Sequence, residues 1–157
     1  MSFEELGLIG VFLFGAIPWF EAIAVVPGAI LLGSPPVLTV VFAVAGNTTT
    51  IFLFAYAASQ IRAWLIKRRA LRGKTGESER FKKAQRSFDK WGIYGLAAIG
   101  PLVIGTQFAA LAAVAAGVKP LKTSIVISVA TLFWATLLAI VFVVAGLDGV
   151  PGFDSEG

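Results

Sequence analysis

The sequence predicts an all-α integral membrane protein of two inverted repeats, each a re-entrant helical hairpin followed by a transmembrane helix. Three observations predict it: where charge is missing, where basic residues cluster, and a gapless internal similarity at an offset of 85 residues. Leu6 to Ile61 contains a single charged side chain, Glu21, while Gly92 to Val118 and Thr123 to Leu147 contain none. A hydrocarbon core of about 30 Å takes roughly 20 apolar residues as a helix. The last two stretches are each long enough to cross, and the first is long enough to cross twice. None shows the polar face that a soluble helix or strand would repeat at its own period. Barrel strands would alternate over about ten residues, which these do not, and lipid leaves the backbone only helices as the alternative.

The chain reads as one membrane domain, residues 1–157: repeat one over 6–61, a basic insert over 62–90, repeat two over 91–147 and an acidic tail over 148–157. Eleven of the thirteen bases lie between Arg62 and Lys90, opposed only by Glu77, Glu79 and Asp89. Such an excess beside spanning segments marks the cytoplasmic side. It also attracts anionic lipids, with Arg62, Lys67, Arg68, Arg69, Lys82, Lys83 and Arg86 as candidate headgroup contacts. After the break Arg72-Gly73-Lys74-Thr75-Gly76, the spacing of Phe81, Phe88 and Trp91 predicts a short interfacial helix. Trp64 beside Lys67 to Arg69 reads as the aromatic and basic belt that ends the preceding span.

The offset of 85 carries Gly7, Gly10 and Gly15 onto Gly92, Gly95 and Gly100, and Pro35 onto Pro120. Apolar matches are cheap in a membrane protein; three glycines and a proline at one offset are not. Charge then decides how each half crosses. If all four apolar segments span, Lys119 and Lys122 fall outside. If the first segment of each half is re-entrant, all thirteen bases fall inside, with both termini and the acidic tails outside. Pro18, Pro27 and Gly28 in the first half, and Gly100, Pro101 and Gly105 in the second, are the expected hairpin breaks. The alternative is a kinked full span, which membrane helices tolerate.

Glu21 is the most informative residue. An acid within an apolar segment is costly and faces protein interior or a water-filled cavity, which makes it a candidate for substrate or proton coupling. The plainer reading is a neutral, hydrogen-bonded structural acid. The offset pairs Glu21 with Thr106, beside Gln107, and hairpin tips meeting at mid-membrane would bring these together. Asn47, leading into Thr48-Thr49-Thr50, is either a further site-lining group or a helix-to-helix hydrogen bond. Gly28, Gly33, Gly105 and Gly117 read as close-packing positions. The acidic opening Met1-Ser2-Phe3-Glu4-Glu5 does not read as a signal peptide. With no cysteine and no histidine, thiolate and imidazole metal ligands are excluded. No metal, cofactor, nucleic-acid partner or enzymatic site is expected. So small a polytopic chain is expected to form a homo-oligomer, most simply a dimer packed through Gly117 and Ala113.

Pro18-Trp19-Phe20-Glu21, Val26-Pro27-Gly28-Ala29-Ile30, Gly33-Ser34-Pro35 and Gly46-Asn47 resemble the first signature of the small multi-drug export protein family. Trp91-Gly92-Ile93-Tyr94-Gly95, through Pro101 and Gly105-Thr106 to Gly117, resembles its second. That family is similar in turn to the DedA superfamily, which implies paired re-entrant hairpins and lipid movement or proton linkage. Ala22, and Gln107 with Phe108, stand where such relatives carry arginine, and without arginine a phosphate anion is held weakly. The resemblance implies a small membrane transporter or lipid translocator of the cell membrane, proton-coupled through Glu21. The alternative is a non-transporting module that organises anionic lipids or partner proteins through its basic insert.

The re-entrant reading makes a topological prediction. Single cysteines introduced into this cysteine-free chain by Ser34→Cys and Lys119→Cys should react with impermeant reagent only from outside and only from inside, respectively. Outside labelling at position 119 would restore the four-span arrangement, and inside labelling at position 34 would sink both.

Overall fold

The computed structural model describes residues 3–72 and 92–147, and their regular structure is helical throughout. In chain order the helices are α1 (Phe3–Ala16), α2 (Glu21–Leu31), α3 (Pro36–Ala70), α4 (Ile93–Val103), α5 (Thr106–Ala115) and α6 (Pro120–Val144). Two short helices precede one long helix, twice. Glu21 and Thr106, which open α2 and α5, stand at the offset of 85 seen in the sequence. At 1.5 Å per residue, the 35 residues of α3 and 25 of α6 run about 52 and 37 Å, enough to cross a bilayer. The 11 residues of α2 or of α4 reach only about 16 Å. Within their most apolar windows α3 is 33% buried and α6 22%. Side chains such as Val41, Leu53, Val129 and Phe133 therefore face outward, where the core helix of a soluble protein would hide them. The chain is embedded in the membrane.

Two compact units divide the described residues: one runs to Thr50 and resumes at Ser128, the other is Ile51–Ile127. The boundary falls inside both long helices, so each contributes a segment to each unit.

In the first unit α2 folds back on α1. Phe14 and Phe20 pack with ring centroids 5.7 Å apart at the closed end, while Gly7 and Leu8 share a cavity with Gly33 and Ser34 at the open end. Val11, Ala22, Val26, Ala29 and Ile30 bury the inner faces of this hairpin against Val40 and Ala43 of α3 and Ala135 and Ala139 of α6. The approach of α1 to α3 is backbone to backbone. A Cβ added at Gly15 would lie 2.5 Å from the Ala43 carbonyl oxygen, and one at Gly46 would overlap the Phe12 carbonyl oxygen.

In the second unit α5 folds back on α4 in the same way. Residues nine apart along one continuous helix would be about 13 Å apart, yet a Cβ at Gly100 would lie 3.0 Å from the Ala109 Cβ. At the open end Lys122 of α6 sits over the Tyr94 ring near the start of α4. The hairpin turns at Gly105, whose φ of 92° lies where only glycine is unstrained.

Several expectations need correction. Pro27, Gly28, Gly100 and Pro101 lie inside helices, not at breaks. Each proline removes one donor, and the helix continues through it. Of the expected breaks only Pro18 and Gly105 fall at turns. Gly15, Gly46 and Gly100 are close-packed, whereas Gly28 and Gly33 meet no neighbour within 4 Å; Gly33 and Gly117 have φ of 82° and 106° and stop helices. Ala113, expected at a dimer surface, is fully buried within its own chain. The interfacial helix expected over Phe81 to Trp91, the candidate contacts Lys82, Lys83 and Arg86, and the tail from residue 148 lie outside the described residues.

The glycine contacts make a stability prediction. Gly46→Ala should lower thermal stability in detergent by about 1–3 kcal/mol through overpacking. Gly10→Ala, where an added Cβ meets nothing within 4 Å, should be neutral or stabilising by about 0.5–1 kcal/mol. Equal melting temperatures for the two variants would refute the α1–α3 contact.

Candidate functional site

Glu21 is the first residue of α2 and only 5% exposed. The preceding turn, Ile17 to Phe20, leaves α1 through hydrogen bonds from the Ile17 N–H to the Phe14 carbonyl and from the Phe20 N–H to the Ile17 carbonyl. That turn forces Trp19 to φ 84° and Glu21 to φ 36°, the only non-glycine residues with positive φ in the described chain. Such positions cost on the order of 1–3 kcal/mol each and persist where surrounding structure holds them. The start of α2 is also its positive dipole end, which favours a carboxylate placed there. Glu21 is thus a buried acid set on a strained backbone at a helix N-terminus.

The same unit buries further polar groups on its long helices. Thr39, Ala43, Asn47 and Ile51 recur every fourth residue of α3, all fully buried, so they follow one inward stripe through the unit boundary. The Thr50 hydroxyl, one turn on from Asn47, donates to the Asn47 carbonyl at 2.9 Å. On α6, Thr131 is fully buried. Among the described residues the Thr39 hydroxyl finds no hydrogen-bond partner.

The second unit has its own polar group at the matching helix start. Thr106 opens α5, as Glu21 opens α2, and its hydroxyl donates to the Gln107 side-chain oxygen at 3.0 Å, with both residues fully buried. Thr123 and Ser124, near the start of α6, are fully buried too, and neither hydroxyl finds a partner among the described residues. Of the four residues singled out in the sequence, Thr106 and Gln107 are joined in one unit, while Glu21 and Asn47 are both buried in the other.

Sequence reasoning missed Thr39 and Ser124. The signal was present: they are 85 residues apart, and Thr39 lies two helical turns before Asn47.

The first unit also carries two cavities. One of about 870 Å³ runs between α1 and α2, lined among others by Gly7, Gly10, Phe14, Phe20, Gly28 and Ser34. At Gly7, Gly10, Gly28 and Gly33 an added Cβ would meet nothing within 4 Å, so no neighbouring group requires glycine there. The other, about 510 Å³, lies between the start of α3 and the end of α6 and is lined by Pro36, Val40, Thr136 and Ile140 among others. Both have the size of small-molecule sites.

Residues 21–137, from the buried acid through most of α6, match the family described as small multi-drug export proteins. The chain belongs to that family. The match begins at Glu21 itself and takes in both helix starts, the stripe on α3 and the hairpin of the second unit. No curated protein and no solved structure matches the chain. Within the family region, the buried polar side chains among the described residues include Glu21, Thr39, Asn47, Thr106, Gln107, Thr123, Ser124 and Thr131. No cluster able to hold a metal ion occurs among the described residues.

The unpartnered hydroxyls separate stability from function. Thr39→Val keeps the shape and removes a buried polar atom, so it should raise thermal stability by about 1–2 kcal/mol. Ser124→Ala should do the same. Loss of stability in both variants would show that these hydroxyls are bonded in the membrane.

Proposed function

We propose that this protein is a proton-coupled membrane transporter of apolar or amphiphilic small molecules, with Glu21 as the coupling group. The observation that carries the reading is the placement of Glu21. It is buried, held on strained backbone, and adjacent in the chain to Phe20, which closes the glycine-lined cavity between α1 and α2. Along α2, Ala24, Val25 and Gly28 line that cavity at three, four and seven residues beyond Glu21, the spacing of one helical face. Glu21 itself is not part of the lining. Movement of the α2 N-terminus would relieve the strain at Trp19 and Glu21 and expose the carboxyl together, which links protonation to the cavity's state. The family's name supports export of small molecules.

The membrane plan that fits this reading is the one the resemblance to DedA proteins implies: two opposed repeats, each with a re-entrant hairpin. It is supported by the fold-back of α1 on α2 and of α4 on α5, and by helices too short to cross singly. Broken helices whose ends point at a mid-membrane site are a recurring transporter design. Lipid translocation is the variant in which the amphiphile is a phospholipid, and the lack of arginine beside Glu21 and Gln107 disfavours it.

The test uses purified protein in proteoliposomes with an imposed pH gradient and a lipophilic fluorescent dye. Glu21→Gln keeps shape and most hydrogen bonding but cannot titrate. It should reconstitute like the native chain, while gradient-driven dye movement falls to that of empty liposomes. Glu21→Ala should lose both stability and activity, since it leaves buried partners unsatisfied. Full pH-dependent transport by Glu21→Gln would exclude the coupling role and leave Glu21 a packing residue.

A further inference from the structure

The second unit holds a feature that transport through the first does not use. Its described residues include seven bases and no acid: five from Arg62 to Arg72 at the end of α3, then Lys119 and Lys122 at the start of α6. Two of these cations lie over exposed aromatic rings. The Arg68 guanidinium carbon is 5.1 Å from the Trp64 ring centroid, and the Lys122 Nζ is 5.4 Å from that of Tyr94. Trp64 is 55% exposed and Tyr94 49%, so both rings present a side to the surroundings.

The position of Lys119 and Lys122 is electrostatically costly within the chain. A helix N-terminus already carries about half a positive charge, and two ammonium groups are added to it with no carboxylate among the unit's described residues. The Tyr94 ring face offsets part of this for Lys122. What would offset the rest is an anion, and the described residues of the unit offer none. The contact of Tyr94 with Lys122 puts the beginnings of α4 and α6 at one end of the unit. The charged insert between Arg72 and Gly92 cannot cross a bilayer, so the end of α3 faces the same leaflet as the start of α4.

We propose that the start of α6, through Lys119 and Lys122 with the Tyr94 ring beside them, binds the headgroup of an anionic phospholipid, and that Arg68 with Trp64 forms a second contact of the same kind. The cations take the phosphate, and the rings occupy the interfacial depth that tyrosine and tryptophan favour. Charge complementarity chooses the occupant, because a zwitterionic lipid would leave the unit's charge uncompensated.

The experiment uses the full chain in detergent, titrated with phosphatidylglycerol or with phosphatidylcholine of identical acyl chains, with bound lipid counted by native mass spectrometry. The native protein should prefer phosphatidylglycerol, and raising the salt concentration should erase the preference. Each cation removed should cost on the order of fivefold in relative affinity. Lys119→Gln with Lys122→Gln should therefore lose most of the preference while binding phosphatidylcholine as the native chain does, and Lys122→Arg should keep it. Equal binding of the two lipids by the native chain, or a preference that the double variant retains, would overturn the proposal. So would full competition by free glycerol phosphate, which would make the site one for a soluble anion. Should the double variant fail to fold, the salt titration of the native chain still decides. The outcome does not depend on Glu21 or on transport.

Discussion

The constraint on which the rest of this structure depends is that hydrocarbon offers a backbone N–H or C=O no partner. A helix that stops within hydrocarbon must therefore satisfy its own last carbonyls, and the helix ends that precede the two long helices do so as well. After α2 the N–H groups of Gly33 and Ser34 bond back to the carbonyls of Ile30 and Ala29, and after α5 those of Gly117 and Val118 bond to Val114 and Ala113. The next helix begins almost at once, with Pro36 and with Pro120. Proline lacks a donor, and at the first turn of a helix that donor would have had no partner anyway. Stop and start are fused so that little polar backbone is left open. The two hairpin tips meet the same demand differently. At one, the Gly105 N–H reaches back to Gly100 with no steric cost; at the other, the chain accepts positive φ at Trp19 and Glu21.

Side-chain packing follows from the same solvent. Burying apolar surface gains little when the surroundings are equally apolar, so association relies on close van der Waals contact and on polar groups. That explains why α1 meets α3 through Gly15 and Gly46, and α4 meets α5 through Gly100, while large side chains such as Phe133 and Ile140 point outward. The buried stripe on α3 alternates the polar Thr39 and Asn47 with the apolar Ala43 and Ile51.

These physical terms also explain how much could be read beforehand. The membrane class and the helical state of the chain were legible, because the absence of charge needs no tertiary context to be read. The offset of 85 was legible too, and it placed Thr106 opposite Glu21 before either was seen to open a helix. Pro27 and Pro101 misled, because whether a proline breaks or merely bends a helix depends on what packs around it. Glycines misled likewise. Sequence does not say whether a glycine is needed for its φ, as at Gly117, or for a neighbour's carbonyl, as at Gly46. Glu21 stood out through its charge, and its burial agrees with the cost of an acid in lipid. Thr39 did not, since a threonine in an apolar helix satisfies itself against its own backbone as readily as it lines a path; Thr49 does so, bonding the Ala45 carbonyl at 2.8 Å.

What the two halves share and what they do not then follow one rule. The shared positions include Gly15 with Gly100, both at close helix contacts, and Pro35 with Pro120 beside the start of a long helix, whereas the glycines of positive φ, Gly33, Gly105 and Gly117, have no glycine counterpart. Several positions that differ carry charge or hydrogen-bonding groups: Glu21 against Thr106, Asn47 against Leu132, Ser34 against Lys119. Under the proposed opposed orientation, the two copies present equivalent positions to opposite leaflets. A base that is favourable beside the insert is unfavourable at the matching place in the other half. Backbone demands give both halves the same order of two short helices and one long one, while the asymmetry of the membrane pulls their side chains apart. The lone buried acid in the first half and the bases at the start of α6 in the second are two results of that division.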